Sequence, residues 1–165
     1  MKLDFSERYA ARPLTASDAD AILTLCAENE QFYRYHLPLA TKESVLEDLS
    51  VLPPGKNAAD KHYLGFFDGK TLVAVLDLIL DYPQEGTAYL GFFMTKKATQ
   101  GRGIGSALIG ELLDELRKAS CKKVRLAVDR GNPQSKAFWE KNGFALTGEE
   151  FLHGDQAYLP MERAL

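Results

Sequence analysis

Cysteine and histidine are scarce in this sequence, which has two cysteines and three histidines among 165 residues. Cys26 and Cys121 lie far apart in otherwise apolar segments, so we expect buried free thiols rather than a disulfide. None of His36, His62 and His153 stands at metal-ligand spacing from a cysteine, so we expect no metal site. Neither cysteine has a histidine close in sequence to activate it, which argues against covalent catalysis through a thiol.

Long apolar runs and an excess of one charge are also missing. The longest apolar run, residues 72–80, is interrupted by Asp77 and is too short to span a bilayer. The first 14 residues carry charges and lack the apolar centre and cleavage site of a signal peptide, so we expect a cytoplasmic protein without membrane association. A net charge of −3 gives no reason to expect nucleic acid as a partner, and a small molecule is the better expectation.

No repeat, low-complexity tract or linker divides the sequence. The one proline-rich point, "LPPGKN" at residues 52–57, is typical of a loop inside a domain. With 45% hydrophobic residues, a chain of this length is sufficient for one core and short for two. We therefore predict a single domain over residues 1–165.

The order of predicted elements indicates an α+β fold. A short strand is followed by a helix capped by Thr15 or Ser17 with Ile22, Leu23, Leu25 and Cys26 on its apolar side, and a second helix covers residues 42–50 after an irregular stretch. Strands 62–67 and 71–80 form a hairpin, because Asp68 and Gly69 supply the positive φ of a tight turn. The later elements are a strand at 87–95, a helix ending near 119, a strand at 124–128, a helix at 133–142, and closing strands near 144–151 and 157–162. These elements predict one mixed, mostly antiparallel central sheet flanked by about four helices.

A glycine-rich segment opens the longest predicted helix. Residues 100–116 read "QGRGIGSALIGELLDEL", with glycines at 101, 103 and 105. The predicted apolar stripe of the helix is Ile104, Ala107, Leu108, Leu112 and Leu116, and the opposite face holds Glu111, Asp114, Glu115 and Lys118. The first helical turn contains no carboxylate and offers Arg102, so its unpaired amides and positive dipole are open to an external anion.

The spacing of these glycines excludes two common nucleotide motifs. The dinucleotide fingerprint needs glycine where this chain has Ser106 or Leu108, and the Walker loop needs a Gly-Lys-Ser/Thr sequence that is absent. A plain nucleotide binder is therefore disfavoured. A purely structural tight loop is the remaining alternative, although such a loop needs one glycine rather than three.

The segment matches Gln-x-x-Gly-x-Gly through Gln100, Gly103 and Gly105, and in this it resembles the GCN5-related N-acetyltransferases, the GNAT superfamily. A second block, "NPQSKAFWEKNGF" at residues 132–144, and the strand "LGFFMT" at 90–95 are also similar to that family. The resemblance covers nearly the whole chain and is weakest before residue 60. It implies a GNAT-like domain that uses acetyl-CoA as co-substrate.

The resemblance implies a set of coenzyme-binding residues. The pyrophosphate would accept hydrogen bonds from the amides of the glycine segment, with Gln100 beside it; these residues are Gly101, Arg102, Gly103, Ile104, Gly105 and Ser106. The pantetheine arm would follow the strand at Phe93, Met94 and Thr95. The N–H of Phe93 or Met94 would lie near the acetyl oxygen. Asn132 would both cap a helix and bind the pantetheine, Ser135 would also contact the coenzyme, and Trp139 would form a wall of the channel.

Two departures from the family pattern concern proton transfer. Many relatives have a tyrosine acid where this chain has Trp139, so the leaving thiolate takes its proton from solvent, from the ammonium of the intermediate or from another residue. Many relatives also have an acidic residue at the position of Tyr89. Tyr89 is the first candidate for the proton route, with Asp77, Asp81 or Glu30 as alternatives, and the amine is expected to attack directly within a ternary complex.

The expected acceptor is a primary amine on a small molecule, an amino acid or a peptide N-terminus. Residues 28–39, "ENEQFYRYHLPL", carry Glu28, Glu30, Phe32, Tyr33, Tyr35 and His36. These side chains either enclose an amine with an apolar flank or only cover a sheet edge with solvated charges. The alternative function is a non-catalytic acetyl-CoA-binding sensor, and either function is compatible with a monomer or a homodimer.

Overall fold

The computed structural model describes residues 1–165, which form five helices and eight strands. The strands are β1 (Ala10–Pro13), β2 (Lys61–Asp68), β3 (Thr71–Leu80), β4 (Thr87–Thr95), β5 (Lys123–Asp129), β6 (Ala145–Leu146), β7 (Phe151–His153) and β8 (Gln156–Ala164). The helices are α1 (Ala19–Ala27), α2 (Glu30–Tyr33), α3 (Lys42–Asp48), α4 (Ile104–Lys118) and α5 (Pro133–Lys141). The sheet order is β1-β2-β3-β4-β5-β8-β6, and β7 pairs with β8. The predicted mixed, mostly antiparallel sheet is confirmed, and only β4 and β5 pair in parallel.

The N-terminal helices agree with prediction except at α2. Thr15, rather than Ser17, precedes a one-turn 3-10 helix over Ala16–Asp18 that leads directly into α1. Thr41 caps α3 by accepting a hydrogen bond from the Ser44 amide at 3.1 Å. The four residues of α2 lie in a stretch that was expected to be irregular, because one helical turn is too short to produce an apolar periodicity.

The central strands create an opening in the sheet. The predicted hairpin of β2 and β3 is confirmed, but its two-residue turn is Gly69 and Lys70: Gly69 has φ +58°, whereas Asp68 is the last residue of β2 and has no positive φ. Asp77 lies opposite Phe92 while the next residue of β3 lies opposite Leu90, so Gly91 is the extra residue of a bulge in β4. Pairing between β4 and β5 is confined to residues 87–89 and 123–125. Beyond that point β5 continues beside β8, and residues 90–95 of β4 have no partner on their β5 side.

The prediction of one closing strand over residues 144–151 is wrong. The structure has two short strands, β6 and β7, on either side of residues 147–150. Gly148 has φ +87° in this interval, a left-handed conformation that cannot continue a strand. The final strand, β8, has the predicted place and extends two residues further at its C-terminal end.

The burial of α4 also differs from prediction at two positions. Ala107 is exposed, whereas Glu115, expected on the solvent face, is buried and accepts a hydrogen bond from the Lys2 backbone amide at 2.6 Å. The reason is that residues 1–5 of the chain cover part of this helix, with Met1, Leu3 and Phe5 packed against its core. A short amphipathic pattern shows the sheet side of a helix but not a segment that folds over its other side.

Two apolar cores lie on opposite faces of the sheet. Alternate residues of β3 face each side: Leu76 and Leu78 pack with α4 and α5, and Val75 packs with α1 and α3. Cys26 is buried in the second core, Cys121 is half-buried, and both are free thiols. None of the helices has the length and apolar character that crossing a membrane requires.

Candidate active site

Two adjoining cavities lie where β4 and β5 separate. The larger, which we call the loop groove, has a volume of about 500 Å³ and runs along the end of β4, the glycine segment and the start of α5. The smaller, the gap cavity, has a volume of about 200 Å³ and lies between residues 89–93 of β4 and residues 126–129 of β5. Phe32, Phe93, Ser135 and Trp139 line both cavities. One continuous site therefore reaches from the glycine segment into the opening of the sheet.

The glycines at the start of α4 have two different roles. Gly101 and Gly103 have φ +73° and +78°, and a Cβ on either would meet no atom within 4 Å, so they make a left-handed turn with open space beside it. Gly105 instead packs closely, because a Cβ there would lie 3.2 Å from the Phe138 ring. No side chain caps α4 and its first turn holds no acidic residue, which leaves its amides free for an anion.

The side chain of Gln100 connects the glycine segment to neighbouring elements by hydrogen bonds. Its Nε2 donates to Asn29 Oδ1 at 2.6 Å and to the Thr95 carbonyl at 3.1 Å. Asn29 is buried and donates its own amide to the carbonyls of Leu25 and Thr95. The network ties α1, the end of β4 and the glycine segment together, and Asn29 is a member that the sequence did not reveal.

The cationic side chains that line the loop groove do not include Arg102, the residue that the motif suggested. Arg102 is exposed and does not line the groove. Arg34, Lys97 and Lys141 do line it, each from a different segment of the chain. No local pattern marks these three residues as a group, because only the fold brings their segments to one groove.

The predicted cap of α5 is confirmed. Asn132 is only 3% exposed, and its Oδ1 accepts a hydrogen bond from the Ser135 amide at 3.1 Å, with Pro133 at the first helical position. The cap uses the carbonyl oxygen alone. The Asn132 Nδ2 has no hydrogen-bond partner within the protein, although the residue lines the loop groove. Ser135 lines both cavities one turn further along.

Aromatic rings belong to the linings of both cavities. Phe93 of β4 stacks on Phe138 with ring centroids 6.0 Å apart and meets Trp139 edge-on at the same distance. Trp139 is buried against Phe144, so this indole is part of the first core as well as of the site. Met94 packs in the second core, and the Thr95 carbonyl accepts hydrogen bonds from Asn29 and Gln100.

The gap cavity contains polar groups that the sequence did not bring together. His36 Nδ1 lies 3.0 Å from Asp129 Oδ1, and Tyr158 of β8 lines the same cavity. Burial raises the pKa of Tyr158, and the nearby Asp129 carboxylate raises it further. Burial and Tyr82 raise the pKa of Tyr89, so at neutral pH its hydroxyl is a hydrogen-bond donor rather than a proton acceptor.

The other carboxylates considered for proton transfer lie outside the gap cavity. Asp77 forms an ion pair with Lys61 at 2.9 Å, and Asp81 accepts a hydrogen bond from the Gly86 amide in a turn. Glu30 is exposed and lines the loop groove. No group of three or more histidine, cysteine or acidic side chains is arranged to hold a metal ion.

The aromatic segment before β2 divides between site and core. Phe32 and His36 line the gap cavity, whereas Tyr33 is buried in the second core and Tyr35 is exposed. Of these side chains, Phe32 and His36 are placed to line a cavity, and enclosure of an amine by them stays a prediction.

Comparison with known proteins gives the family. A model of the acetyltransferase (GNAT) family matches residues 23–144. An acetyltransferase from Thermus thermophilus has a TM-score of 0.75 at 24% identity, with 94% of this chain and 96% of that chain covered. PaiA N-acetyltransferase from Thermoplasma acidophilum, solved in complex with coenzyme A, has a TM-score of 0.69 at 21% identity, with 94% and 98% covered. A spermidine N-acetyltransferase chimera of Vibrio cholerae SpeG and hSSAT has a TM-score of 0.72 at 22% identity, with 96% of each chain covered. No curated protein matches the sequence.

Proposed function

The chain belongs to the GNAT family of acetyltransferases, and on that basis we propose that it transfers the acetyl group of acetyl-CoA directly to a primary amine. The observation that carries the proposal is the continuity of the site. An uncapped helix N-terminus opens on a groove that leads into the separation of β4 and β5. A long ligand with an anionic end and a reactive far end suits this shape.

The residues of the loop groove fit coenzyme A. Its pyrophosphate would accept hydrogen bonds from amides of residues 101–106, because a helix N-terminus without an internal acid favours an anion. Arg34, Lys97 and Lys141 would supply positive charge around the coenzyme phosphates. Gln100 would act indirectly by holding the glycine segment, since both hydrogen bonds of its amide nitrogen are made within the protein.

The pantetheine arm would follow β4 toward the gap cavity. Asn132 Nδ2 has no protein partner, the residue lines the loop groove, and this amide would donate to a carbonyl of the arm. Ser135 and Trp139 would line the thioester end, because they are shared by both cavities. Consecutive amides of a strand point to opposite sides, and the Lys96 amide donates to the Val73 carbonyl of β3, so the Met94 amide faces β3 as well. The Phe93 amide faces the open side of β4 and would polarise the acetyl carbonyl as negative charge develops on its oxygen.

The acyl transfer would proceed by direct attack of the amine on the thioester. Neither cysteine lines either cavity, and burial raises the pKa of the Cys26 thiol, which disfavours a thiolate nucleophile. Trp139 cannot donate a proton to the thiolate near neutral pH. Tyr89 lines the gap cavity, and its neutral hydroxyl would orient the acceptor.

A specific observation favours the sensor as the second candidate. The chain has tyrosine and tryptophan at the two positions that carry the base and acid in many similar sequences. A protein with an intact coenzyme site and no transfer activity would bind acetyl-CoA and report its concentration to a partner.

Two measurements test the proposal and separate it from its alternatives. Thermal shift with acetyl-CoA, CoA and ATP is expected to show stabilisation by the first two; stabilisation by ATP alone would overturn the coenzyme site. Thiol release from acetyl-CoA is then followed with spermidine, phenethylamine and an alanine-initiated peptide. Acceleration by an amine supports the transferase, whereas tight acetyl-CoA binding without acceleration by any of them supports the sensor.

A further inference from the structure

His36 and Asp129 form a hydrogen-bonded pair in the wall of the gap cavity. His36 follows α2, and Asp129 is the last residue of β5, so the two are 93 positions apart in sequence. Nδ1 of His36 lies 3.0 Å from one carboxylate oxygen of Asp129 and 3.2 Å from the other. The carboxylate is 7% exposed and the imidazole 40% exposed. The buried partner is thus held in the protein, while the imidazole keeps access to the cavity.

This geometry fixes the chemistry of the imidazole. Asp129 accepts a hydrogen bond from Nδ1–H, so the neutral ring carries its lone pair on Nε2. Nε2 makes no hydrogen bond to any other group of the protein. A neutral imidazole in this tautomer can accept a proton at Nε2.

The groups around the pair reinforce this arrangement. The only side chain that donates a hydrogen bond to the Asp129 carboxylate is His36, so this buried acceptor depends on the imidazole for its side-chain partner. The ring of Tyr158 lies 6.2 Å from that of His36, and the ring of Tyr33 lies 6.3 Å away. Asp48 of α3 is also within electrostatic reach of the imidazole. No lysine or arginine side chain lines the gap cavity.

We infer that His36 is the catalytic base that removes the proton from the acceptor amine. Asp129 is the positioning residue, because it orients the imidazole and holds its tautomer. The inference rests on the proposed transferase function and adds the route of the proton to it. An alkylammonium has a pKa near 10.4, so about one molecule in a thousand is neutral at pH 7 without such a base. The location of the pair on the far side of Phe93 and Trp139 from the glycine segment is where an amine would approach the thioester.

The protons and electrons of the step balance as follows. His36 Nε2 takes one proton from the ammonium, and the freed nitrogen lone pair forms a C–N bond to the acetyl carbonyl carbon. The resulting oxyanion collapses, the C–S bond breaks, and the thiolate leaves with its electron pair. The second nitrogen proton goes to the thiolate sulfur, and the imidazolium returns its proton to solvent. The products are the acetamide, CoA and one proton.

A matched set of variants tests the inference. His36→Asn keeps an N–H donor toward Asp129 and removes the base. Asp129→Asn keeps the shape but can donate to Nδ1, which shifts the ring proton to Nε2. His153→Asn is the control, because His153 is an exposed histidine on β7 that lines neither cavity. Each protein is assayed for CoA release with the acceptor that gives the wild type its highest kcat/KM among spermidine, phenethylamine and an alanine-initiated peptide.

The expected result is a loss of about 10²- to 10⁴-fold in kcat/KM for both site variants, the usual contribution of a general base. The pH profile of kcat/KM should differ from that of the wild type in both site variants. Acetyl-CoA affinity and Tm should be unchanged, and the control should match the wild type. The loss should shrink to less than about tenfold with hydroxylamine, which is mostly unprotonated at neutral pH and needs no base.

The opposite results overturn the inference. Retention of wild-type kcat/KM and pH profile by His36→Asn would show that the pair does not move the proton. A loss of equal size with hydroxylamine, or a parallel fall in Tm and acetyl-CoA affinity, would show that it only ties α2 to β5. If none of the amines accelerates CoA release by the wild-type protein, the transferase proposal itself fails. This outcome differs from an active wild type whose activity is unchanged by His36→Asn, which would overturn only the role of His36.

Discussion

Substitution of Asn132 separates the helix cap from the coenzyme contact. Its Oδ1 accepts a hydrogen bond from the Ser135 amide, and its Nδ2 has no protein partner beside the loop groove. Asn132→Ser and Asn132→Asp keep an oxygen that can cap the helix but lose the Nδ2 amide donor. Asn132→Ala loses both functions.

The expected magnitudes follow from these two contacts. Asn, Asp and Ser are nearly equivalent N-caps, so the first two variants should keep the free energy of unfolding within a few tenths of a kcal/mol. The alanine variant should lose about 1 kcal/mol, or about 2–4 °C in Tm for a chain of this size. A buried acceptor on the pantetheine left without its donor costs about 1–3 kcal/mol, which raises the Kd for acetyl-CoA about 5- to 150-fold in all three variants.

Calorimetric titration with acetyl-CoA and thermal unfolding measure the two effects independently. The serine variant is the cleanest, because the aspartate also brings a negative charge toward the coenzyme phosphates. A serine variant with wild-type Kd would refute the pantetheine contact while leaving the cap intact. A serine variant that loses as much stability as the alanine variant would refute the cap as the structural role.

Three further predictions concern the glycine segment and the N-terminal ion pair. Gly103→Ala should lose about 1–2 kcal/mol of stability by chemical denaturation, since φ +78° is strained for alanine; unchanged stability would mean that the turn can relax. Gly105→Ala should weaken acetyl-CoA binding by displacing Phe138, whose ring would lie 3.2 Å from the new Cβ, and adding Phe138→Leu should restore binding; failure of that rescue would refute the packing argument. Arg12 holds the pKa of Asp18 at about 2, so the pair stabilises the fold above the usual carboxyl pKa and this stability is lost from about pH 4 down to about pH 2. Asp18→Asn should therefore lower Tm near neutral pH and lower it progressively less as the pH falls to about 2, and an equal loss at both pH values would contradict the assignment.

The two helix starts beside the loop groove were predictable because their signals are local. A left-handed glycine before an amphipathic helix, and Asn-Pro before a second helix, each determine their own conformation within a few residues. Gly103 and Asn132 accordingly stand at the two helix starts where the patterns placed them. The different role of Gly105 could not be predicted, because its reason is the ring of Phe138, 33 positions away.

The errors arose where the chain contacts a segment remote in sequence. Glu115 has the spacing of a solvent-facing residue, and only the N-terminal segment that crosses α4 makes it buried. The cations of the loop groove, Arg34, Lys97 and Lys141, likewise share no pattern. A sequence pattern reports which face of an element is apolar, whereas the neighbours of its polar face depend on topology.

The acceptor side of the site depends on topology throughout. The parallel pairing of β4 with β5 lasts three residues, because the Gly91 bulge turns β4 away while β5 continues with β8 to Asp129. The carboxylate at the end of β5 therefore reaches the opening that β4 leaves, and His36, which follows α2, reaches it from the other side. In that position a histidine and an aspartate with no motif between them can replace the acid missing from β4 at Tyr89. The proton route would then have moved to different elements of the same fold while the position of the thioester stayed the same.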